Sequence, residues 1–145
     1  MATRSIVAIE NENGTVTGVY CHWDGYLKGV GQILLDHYDA AAKVRRLIAG
    51  GALSSLAPAI DPPDGVPHSF AAPADGVCVF YHRDRGDGPR PEVMEQDTRG
   101  GWGERCRGMG AEFLYLFTSR GWRWKPAGTR GPWRVLRRAG AVATA

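Results

Sequence analysis

The sequence predicts an α+β fold: a single domain with an antiparallel sheet of about five strands, two helices inserted after an N-terminal hairpin, and a short C-terminal helix. Three observations favour it. Alternating apolar residues flank an Asn-Gly turn near the N-terminus, a helical stripe of apolar residues follows, and strand-like aromatic segments occupy the C-terminal third. A chain of 145 residues with 43% hydrophobic and 23% charged residues fits one domain, residues 1–145.

The first two elements are a hairpin and a helix. The hairpin is predicted over residues 4–11 and 15–23, because Asn13-Gly14 between β-branched runs favours a tight turn. Over residues 27–38 the apolar positions then recur at helical spacing. Two glycines weaken the first turn of this helix, so it is expected to become regular only after them.

A second helix and a loop come next. Asp39 can cap the start of the second helix, and the glycine pair at residues 50–51 ends it. Both helices are expected to pack on one face of the sheet. Residues 58–76, rich in proline, aspartate and glycine, are predicted to form a loop, and residues 77–83 a buried strand.

The C-terminal part is predicted to be mostly sheet. Residues 91–110 fit one helical turn followed by a glycine-broken loop. Residues 111–119 and 122–126 are two strands joined by a turn. Pro132 can start a short last helix, and residues 141–145 form a frayed tail.

Charge is distributed unevenly. Residues 1–80 carry 5 Lys/Arg and 8 Asp/Glu, whereas residues 81–145 carry 13 Lys/Arg, nearly all arginine, and 7 Asp/Glu. Because the arginine fork suits phosphate and carboxylate groups, an anionic partner for the second half is one interpretation. A solvated arginine-rich surface is the other.

Composition also indicates the compartment. No apolar run is long enough to span a membrane, and the N-terminus lacks a secretory pattern. Three cysteines at wide spacings indicate reduced thiols, so we expect a protein of the cytoplasm with no membrane partner. The phosphate-binding loop, the serine-hydrolase elbow, the HExxH motif and the dinucleotide fingerprint are all missing. We therefore assign no catalytic residue, no metal ligand and no cofactor, and we lean against an enzyme.

The first candidate site is the segment YCHWDGY. On a strand, His22 and Asp24 would point to one face, and Cys21 and Trp23 to the other. In the functional interpretation, these polar residues and Tyr26 border a ligand pocket at a strand-to-helix junction. In the structural interpretation, Asp24 caps the following helix, Trp23 fills the core and His22 bonds to the backbone.

The second candidate site is FYHRDRGDG, which repeats the H-x-D spacing. Arg83 and Arg85 interleave with His82 and Asp84. If the two segments converged, their histidines and carboxylates would suit a divalent metal, or the arginines would hold a phosphate. The alternative is a set of weak ion pairs that close a loop.

The third candidate combines tryptophan and arginine, a mixture that can stack bases and bind phosphates. It leaves nucleic acid open as a partner of the C-terminal arginines, although the core is the favoured place for Trp122 and Trp133. Its members are Trp102, Trp122, Trp124, Trp133, Arg99, Arg105, Arg107, Arg123 and Arg134.

These motifs together resemble a family of short, uncharacterised proteins from phages, prophages and actinobacterial genomes. The resemblance covers about residues 3–136 and implies an accessory phage protein that acts in the bacterial host cytoplasm and counters bacterial defence. It departs from the family pattern at Leu27, where proline is frequent, and in the segment GGWGERCRGMG. The matching motifs are TRS (3–5), YCHWDGY (20–26), GVGQILLDHY (29–38), LSSL (53–56), YHRDRG (81–86) and EFLYLF (112–117).

Three functional hypotheses follow. The first is a non-catalytic protein, suited to a homo-oligomer, that binds an anionic nucleotide signal or a defence component. The second is a metal-dependent phosphodiesterase or nuclease with His22, Asp24, His82 and Asp84 as ligands. The third is a direct protein inhibitor of a host defence complex. The residues assigned to ligand binding in the first are His22, Trp23, Asp24, Tyr26, His82, Arg83, Asp84 and Arg85.

Overall fold

The fold is α+β, built on one mixed sheet. The computed structural model describes residues 2–86, 94–96, 110–128 and 131–138. Within these residues the sheet has eight strands instead of about five. The strands are β1 (Ser5–Glu10), β2 (Val16–Cys21), β3 (Leu53–Ser55), β4 (Val79–Phe80), β5 (Met94–Gln96), β6 (Phe113–Thr118), β7 (Gly121–Pro126) and β8 (Arg134–Val135).

The strand order is β4-β3-β2-β1-β6-β7-β8, and β5 pairs with the start of β2. The N-terminal hairpin, β1 with β2, is confirmed. The expectation of a purely antiparallel sheet is wrong, because β1 pairs with β6 and β2 pairs with β3 in parallel. These pairings join strands that are distant in sequence, so the turn signals that mark hairpins do not report them.

The helices also differ in part from the predictions. The helix after the hairpin begins as a π-helical turn that contains both glycines, and regular α-helix starts after them, as expected. Asp39 does not cap the second helix; Ala40 precedes its first turn and forms no side-chain cap. The helical elements are the turn Leu27–Gly31, α1 (Gln32–His37), α2 (Ala41–Ala49) and α3 (Tyr81–Arg85).

Helices α1 and α2 pack on one face of the sheet, as predicted. Leu34 and Leu47 are fully buried there against Val7 and Tyr115. On the other face, the side chains of Ile6 and its neighbours form a second, smaller buried cluster. Burial of both faces explains why the central strands are almost continuously apolar.

Residues 58–76 form a loop that contains no helix or strand, apart from an isolated bridge between Ala59 and Val77. The strand predicted over residues 77–83 is wrong in extent, because only Val79–Phe80 is paired and α3 follows at once. The Phe80 N–H donates a 2.8 Å hydrogen bond to Asp84 Oδ2, which fixes the first turn of that helix as a capping side chain does.

The predicted C-terminal hairpin is confirmed as β6 and β7. The helix predicted at Pro132 is wrong: Arg134–Val135 pairs with β7 and satisfies backbone groups that an edge strand would leave open. Residues 91–110 lie outside the described residues, except for β5 and Gly110, and so does the tail 141–145. In the part of the chain that the structure describes, no helix is both long enough and apolar enough to cross a membrane.

Candidate functional site

The first predicted site is an exposed loop, residues 22–26, which we call the aromatic loop. The β2–β3 ladder continues into it through 3.0 Å hydrogen bonds from His22 N to Leu53 O and from Trp23 N to Ser54 O. The chain then turns at Asp24, whose φ of 57° is left-handed, a conformation that aspartate tolerates better than most residues.

Close packing fixes the backbone of the aromatic loop. A Cβ on Gly25 would lie 2.8 Å from both Thr3 O and Ser5 Cβ. A Cβ on Gly29 would lie 2.2 Å from Asp24 O, the oxygen that accepts a 2.8 Å hydrogen bond from Val30 N. Glycine is therefore needed at both positions, because any larger residue would clash with the neighbouring backbone. The same close packing leaves the loop little freedom to rearrange.

The aromatic loop directs two large side chains outward. Trp23 is 44% exposed and Tyr26 is 43% exposed. The expectation that Trp23 faces the core is therefore wrong, because the ladder ends there and Asp24 turns the chain away. The Asp24 carboxylate caps no helix; it accepts a 3.2 Å hydrogen bond from the Tyr26 hydroxyl, which raises the pKa of Tyr26.

His22 is positioned by two contacts. Its ring packs edge-on against Trp23 with centroids 4.8 Å apart, and its Nδ1 lies 2.7 Å from Tyr20 Oη. Partial burial and the nearby Arg4 guanidinium lower the pKa of His22, so the imidazole is mostly neutral at pH 7, and its Nδ1 can accept a hydrogen bond from the Tyr20 hydroxyl. Burial raises the pKa of Tyr20, and the nearby Arg4 guanidinium partly offsets this increase. Arg4, Tyr20 and His22 thus form a polar, aromatic strip on the sheet next to the exposed end of the aromatic loop.

The second predicted site is used internally. The Arg83 guanidinium spans the Asp84 carboxylate, with Nε 2.8 Å from Oδ1 and Nη2 3.0 Å from Oδ2. Its remaining donors reach the carbonyls of Ile60 and Cys78, at 2.7 and 2.8 Å, and Asp61 Oδ1 at 3.2 Å. Arg83 therefore ties the 58–76 loop to α3, which leaves it few donors for an external anion.

His68 completes this loop anchor, which we define as Arg83, Asp84 and His68. The Ala74 N–H donates to His68 Nδ1 at 2.9 Å, so in the neutral ring the proton is on Nε2, 3.3 Å from Asp84 Oδ2. Burial raises the pKa of Asp84, but the hydrogen bonds from Arg83, Phe80 and His68 together lower it by more than burial raises it. The net pKa of Asp84 therefore lies below its ordinary value.

The other two residues of this segment lie beside the loop anchor. The Arg85 guanidinium stacks over the rings of Phe70 and Tyr81, at 4.8 and 4.6 Å. His82 lies half-buried on α3. Tyr81 is close enough to Tyr20 to raise its pKa, although burial contributes more. The second segment thus approaches the first at Tyr81.

The two H-x-D segments do not converge. Strand β3 lies between them, parallel to β2 and antiparallel to β4. The first segment, which follows β2, therefore lies toward the C-terminal end of β3. The second segment, which follows β4, lies toward the N-terminal end of β3, where Tyr81 N donates a hydrogen bond to Ala52 O. In the described residues no group of three or more His, Cys, Asp or Glu side chains is placed to hold a metal ion. The four-ligand metal site of the second hypothesis is therefore not formed.

The tryptophans of the third candidate differ in how deeply they are buried. Trp122 is buried as predicted, and its Nε1–H donates to Tyr38 O at 2.7 Å. Trp124 is half-buried, and Trp133 is also half-buried at the border of the smaller core cluster, against which it packs. Trp102 and the arginines at 99, 105 and 107 lie outside the described residues.

Sequence reasoning overlooked several residues of these clusters. Arg4, Asp61 and His68 received no role, because each acts on a partner far away in the chain. The motif TRS and the loop residues around His68 carry no local pattern that announces such a contact.

Fold and site together define an α+β protein with a mixed sheet and an exposed, rigid aromatic loop. Comparison with family models, with curated proteins and with solved structures found no match for this chain.

Proposed function

We propose that this protein is a non-catalytic binding protein and that the aromatic loop attaches it to a bacterial defence protein. The observation that carries the proposal is the exposure of Trp23 and Tyr26 on a backbone that hydrogen bonds and close packing hold in place. Tryptophan and tyrosine are the residues most enriched at energetically important positions of protein interfaces. A rigid loop also reduces the entropy lost on binding.

The bacterial defence context of the proposal comes from the resemblance to phage and prophage proteins. The geometry supports a protein partner over the nucleotide of the first hypothesis. The arginine expected to clamp a phosphate, Arg83, is engaged in the loop anchor, and the carboxylate of Asp24 stands beside the exposed rings. A carboxylate at this position disfavours an anionic ligand.

A nucleotide is the second candidate, for one specific reason. Arg4, Tyr20 and His22 lie together beside the loop, and Tyr81 with its stacked Arg85 lies on the far side of β3. Neighbouring strands are about 4.8 Å apart, and β3 lies between the two tyrosines. The backbones of Tyr20 and Tyr81 are therefore roughly 10 Å apart across the sheet. A planar base held between aromatic side chains would suit this strip.

A capture experiment tests the proposal. The wild-type protein and the variants Trp23→Ala, Tyr26→Ala and Val135→Ala are immobilised in turn and exposed to bacterial lysate, and retained proteins are identified by mass spectrometry. Val135 is the matched control because it is 47% exposed but lies on β8. We expect one protein to be retained by the wild type and the control, and to be lost at least about tenfold on truncation of either aromatic residue, a cost of about 1.4 kcal/mol or more.

Retention of the same proteins by all four forms would refute the role of the loop. Calorimetric titration with cyclic and linear nucleotides distinguishes the second candidate: tight binding of a nucleotide that Trp23→Ala abolishes, with no protein retained, would replace the proposed partner.

A further inference from the structure

The C-terminal hairpin carries a charge pattern that the aromatic loop does not use. Residues 113–138 contain seven Lys/Arg and no Asp or Glu. Six of these cations lie in the described residues. They belong to β7, to β8 and to the turns beside them, which form one edge of the sheet.

Most of these cations have no carboxylate partner. Arg138 forms an ion pair with Asp36, Nη1 to Oδ1 at 2.7 Å. Among the described residues no carboxylate pairs with the other five, which we call the cationic edge: Arg120, Arg123, Lys125, Arg134 and Arg137.

This distribution differs from the rest of the chain. Arg46 and Arg83 both pair with Asp61, and Arg83 also pairs with Asp84. Carboxylates within the fold therefore compensate the charges of Arg46 and Arg83. Within the residues that the structure describes, the cationic edge has no such compensation, and like charges held together cost free energy unless an anion neutralises them.

Aromatic rings are interleaved with the charges. The Arg134 guanidinium lies over the ring of Trp124 at 5.2 Å, and the Lys125 ammonium lies over the ring of Trp133 at 5.1 Å. Both tryptophans are half-buried, and each packs against one of the two core clusters. Arg134 is also the direct partner of Trp124 in the β7–β8 register, which makes the arrangement a consequence of strand pairing.

The spacing of the charges is regular. Arg123 and Lys125 are two residues apart and lie on the same side of β7, so their Cα atoms are about 6.6 Å apart along the strand. The Arg123 guanidinium is supported by the carbonyls of Arg120 and Trp122, at 3.3 and 3.2 Å. Trp133 lies on the same side as this pair, whereas Trp124 and Arg134 lie on the opposite side of the sheet, so the charges border β8 on both sides.

We propose that the cationic edge binds single-stranded nucleic acid that passes around strand β8, with the cations contacting phosphates, Trp133 contacting bases on the side of Arg123 and Lys125, and Trp124 contacting bases on the side of Arg134. Single strands are favoured over duplexes because their bases are free to stack on aromatic side chains. Arginine is the better phosphate ligand because its planar fork forms two parallel hydrogen bonds. This surface is independent of the aromatic loop and of its proposed partner.

Fluorescence anisotropy with labelled oligothymidylate, oligouridylate and a mixed-sequence DNA duplex, in a KCl series from about 50 to 200 mM, tests the proposal. We expect the single strands to bind more tightly than the duplex. The logarithm of the affinity should fall linearly with the logarithm of the salt concentration, with a slope of about −0.7 for each phosphate contacted, or about −3.5 for five contacts.

Arg120→Gln with Arg137→Gln is the first variant, because both side chains are exposed and no hydrogen bond of either is needed for the fold. It should reduce the slope by about 1.4. Arg45→Gln with Lys28→Gln removes two exposed charges elsewhere and should leave the slope unchanged. A third variant, Arg123→Gln with Lys125→Gln and Arg134→Gln, should lower single-strand affinity at least about tenfold at low salt, with circular dichroism used to verify folding.

Three results would overturn the proposal: no binding of either single strand at the lowest salt, tighter binding of the duplex, or equal slopes for the two double variants. Equally tight binding of polyglutamate would show that the edge attracts any polyanion, and it would contradict the role of the tryptophans.

Discussion

The Tyr115 hydroxyl reaches from the core to the aromatic loop and donates a 2.6 Å hydrogen bond to Gly25 O. Tyr115 is fully buried on β6, and Gly25 is also buried although it lies within the loop. The exposed aromatic side chains are thus attached to the centre of the sheet through one polar contact. The rigidity of the loop depends on the core as well as on its own glycines.

Tyr115→Phe removes this hydrogen bond and leaves a buried carbonyl unpaired. We expect the free energy of unfolding to fall by about 1–3 kcal/mol, measured by urea denaturation. Tyr26→Phe is the control, because its hydroxyl bonds to Asp24 on the surface, and its effect should stay within about 0.5 kcal/mol. Similar effects for the two variants would contradict a role for Tyr115 in supporting the loop.

Gly29→Ala places a Cβ within 2.2 Å of Asp24 O, so the backbone of the loop must move. We expect destabilisation of about 1–3 kcal/mol, by analogy with overpacking in a core, together with weaker capture of the loop's partner. Gly131→Ala is the matched control, since a Cβ there meets no atom within 4 Å. Thermal unfolding of the two variants makes the comparison, and unchanged stability of Gly29→Ala would show that the loop is not tightly packed.

Asp84→Asn tests the loop anchor. The Asp84 side chain is only 4% exposed and binds Arg83, His68 and the Phe80 N–H. Loss of its charge should cost about 1–3 kcal/mol, whereas Asp61→Asn, at a carboxylate that is 50% exposed, should cost less than about 1 kcal/mol. Limited proteolysis should also cleave residues 58–76 faster in Asp84→Asn. Equal cleavage of both variants would argue against an anchoring role.

Asp84 also makes stability depend on pH. Because its pKa in the folded protein is lower than its ordinary value of 3.8, the charged form stabilises the fold at pH values above 3.8. This contribution is lost as the pH falls below 3.8 and through the lowered pKa. Urea denaturation between about pH 6 and pH 2.5 should show a steeper acid loss for the wild type than for Asp84→Asn. Parallel profiles would contradict the assignment.

The buried thiols should be chemically silent in the native protein. Cys21 and Cys78 are both fully buried, and burial raises the pKa of Cys21 to about 12 and also raises the pKa of Cys78. Since the thiolate is the reactive form, neither residue should be alkylated by iodoacetamide at pH 8. Mass spectrometry should show labelling of both after denaturation in urea. Rapid native labelling of either would mean that the sheet opens locally at that residue.

Local sequence signals predicted much of the fold. The Asn13-Gly14 turn, the glycine pair that ends α2 and the aromatic alternation of β6 and β7 all appear where they were expected. Each of these signals acts over a few residues, through turn geometry, helix termination or side-chain alternation. The segment YCHWDGY was also correctly placed at a strand end.

Tertiary structure decided the remainder. The parallel pairing of β1 with β6 and the insertion of β3 between the two H-x-D segments arise from contacts distant in sequence, and no local pattern encodes them. These pairings determine what the candidate sites contain: Arg83 and Asp84 form an internal anchor, and Trp23 is exposed. The sequence alone determined the N-terminal hairpin, the first two helices and the β6–β7 hairpin. Which of those side chains meet, and which face the solvent, was decided by the order of strands in the sheet, because strand order depends on the free energy of long-range packing and not on local preference.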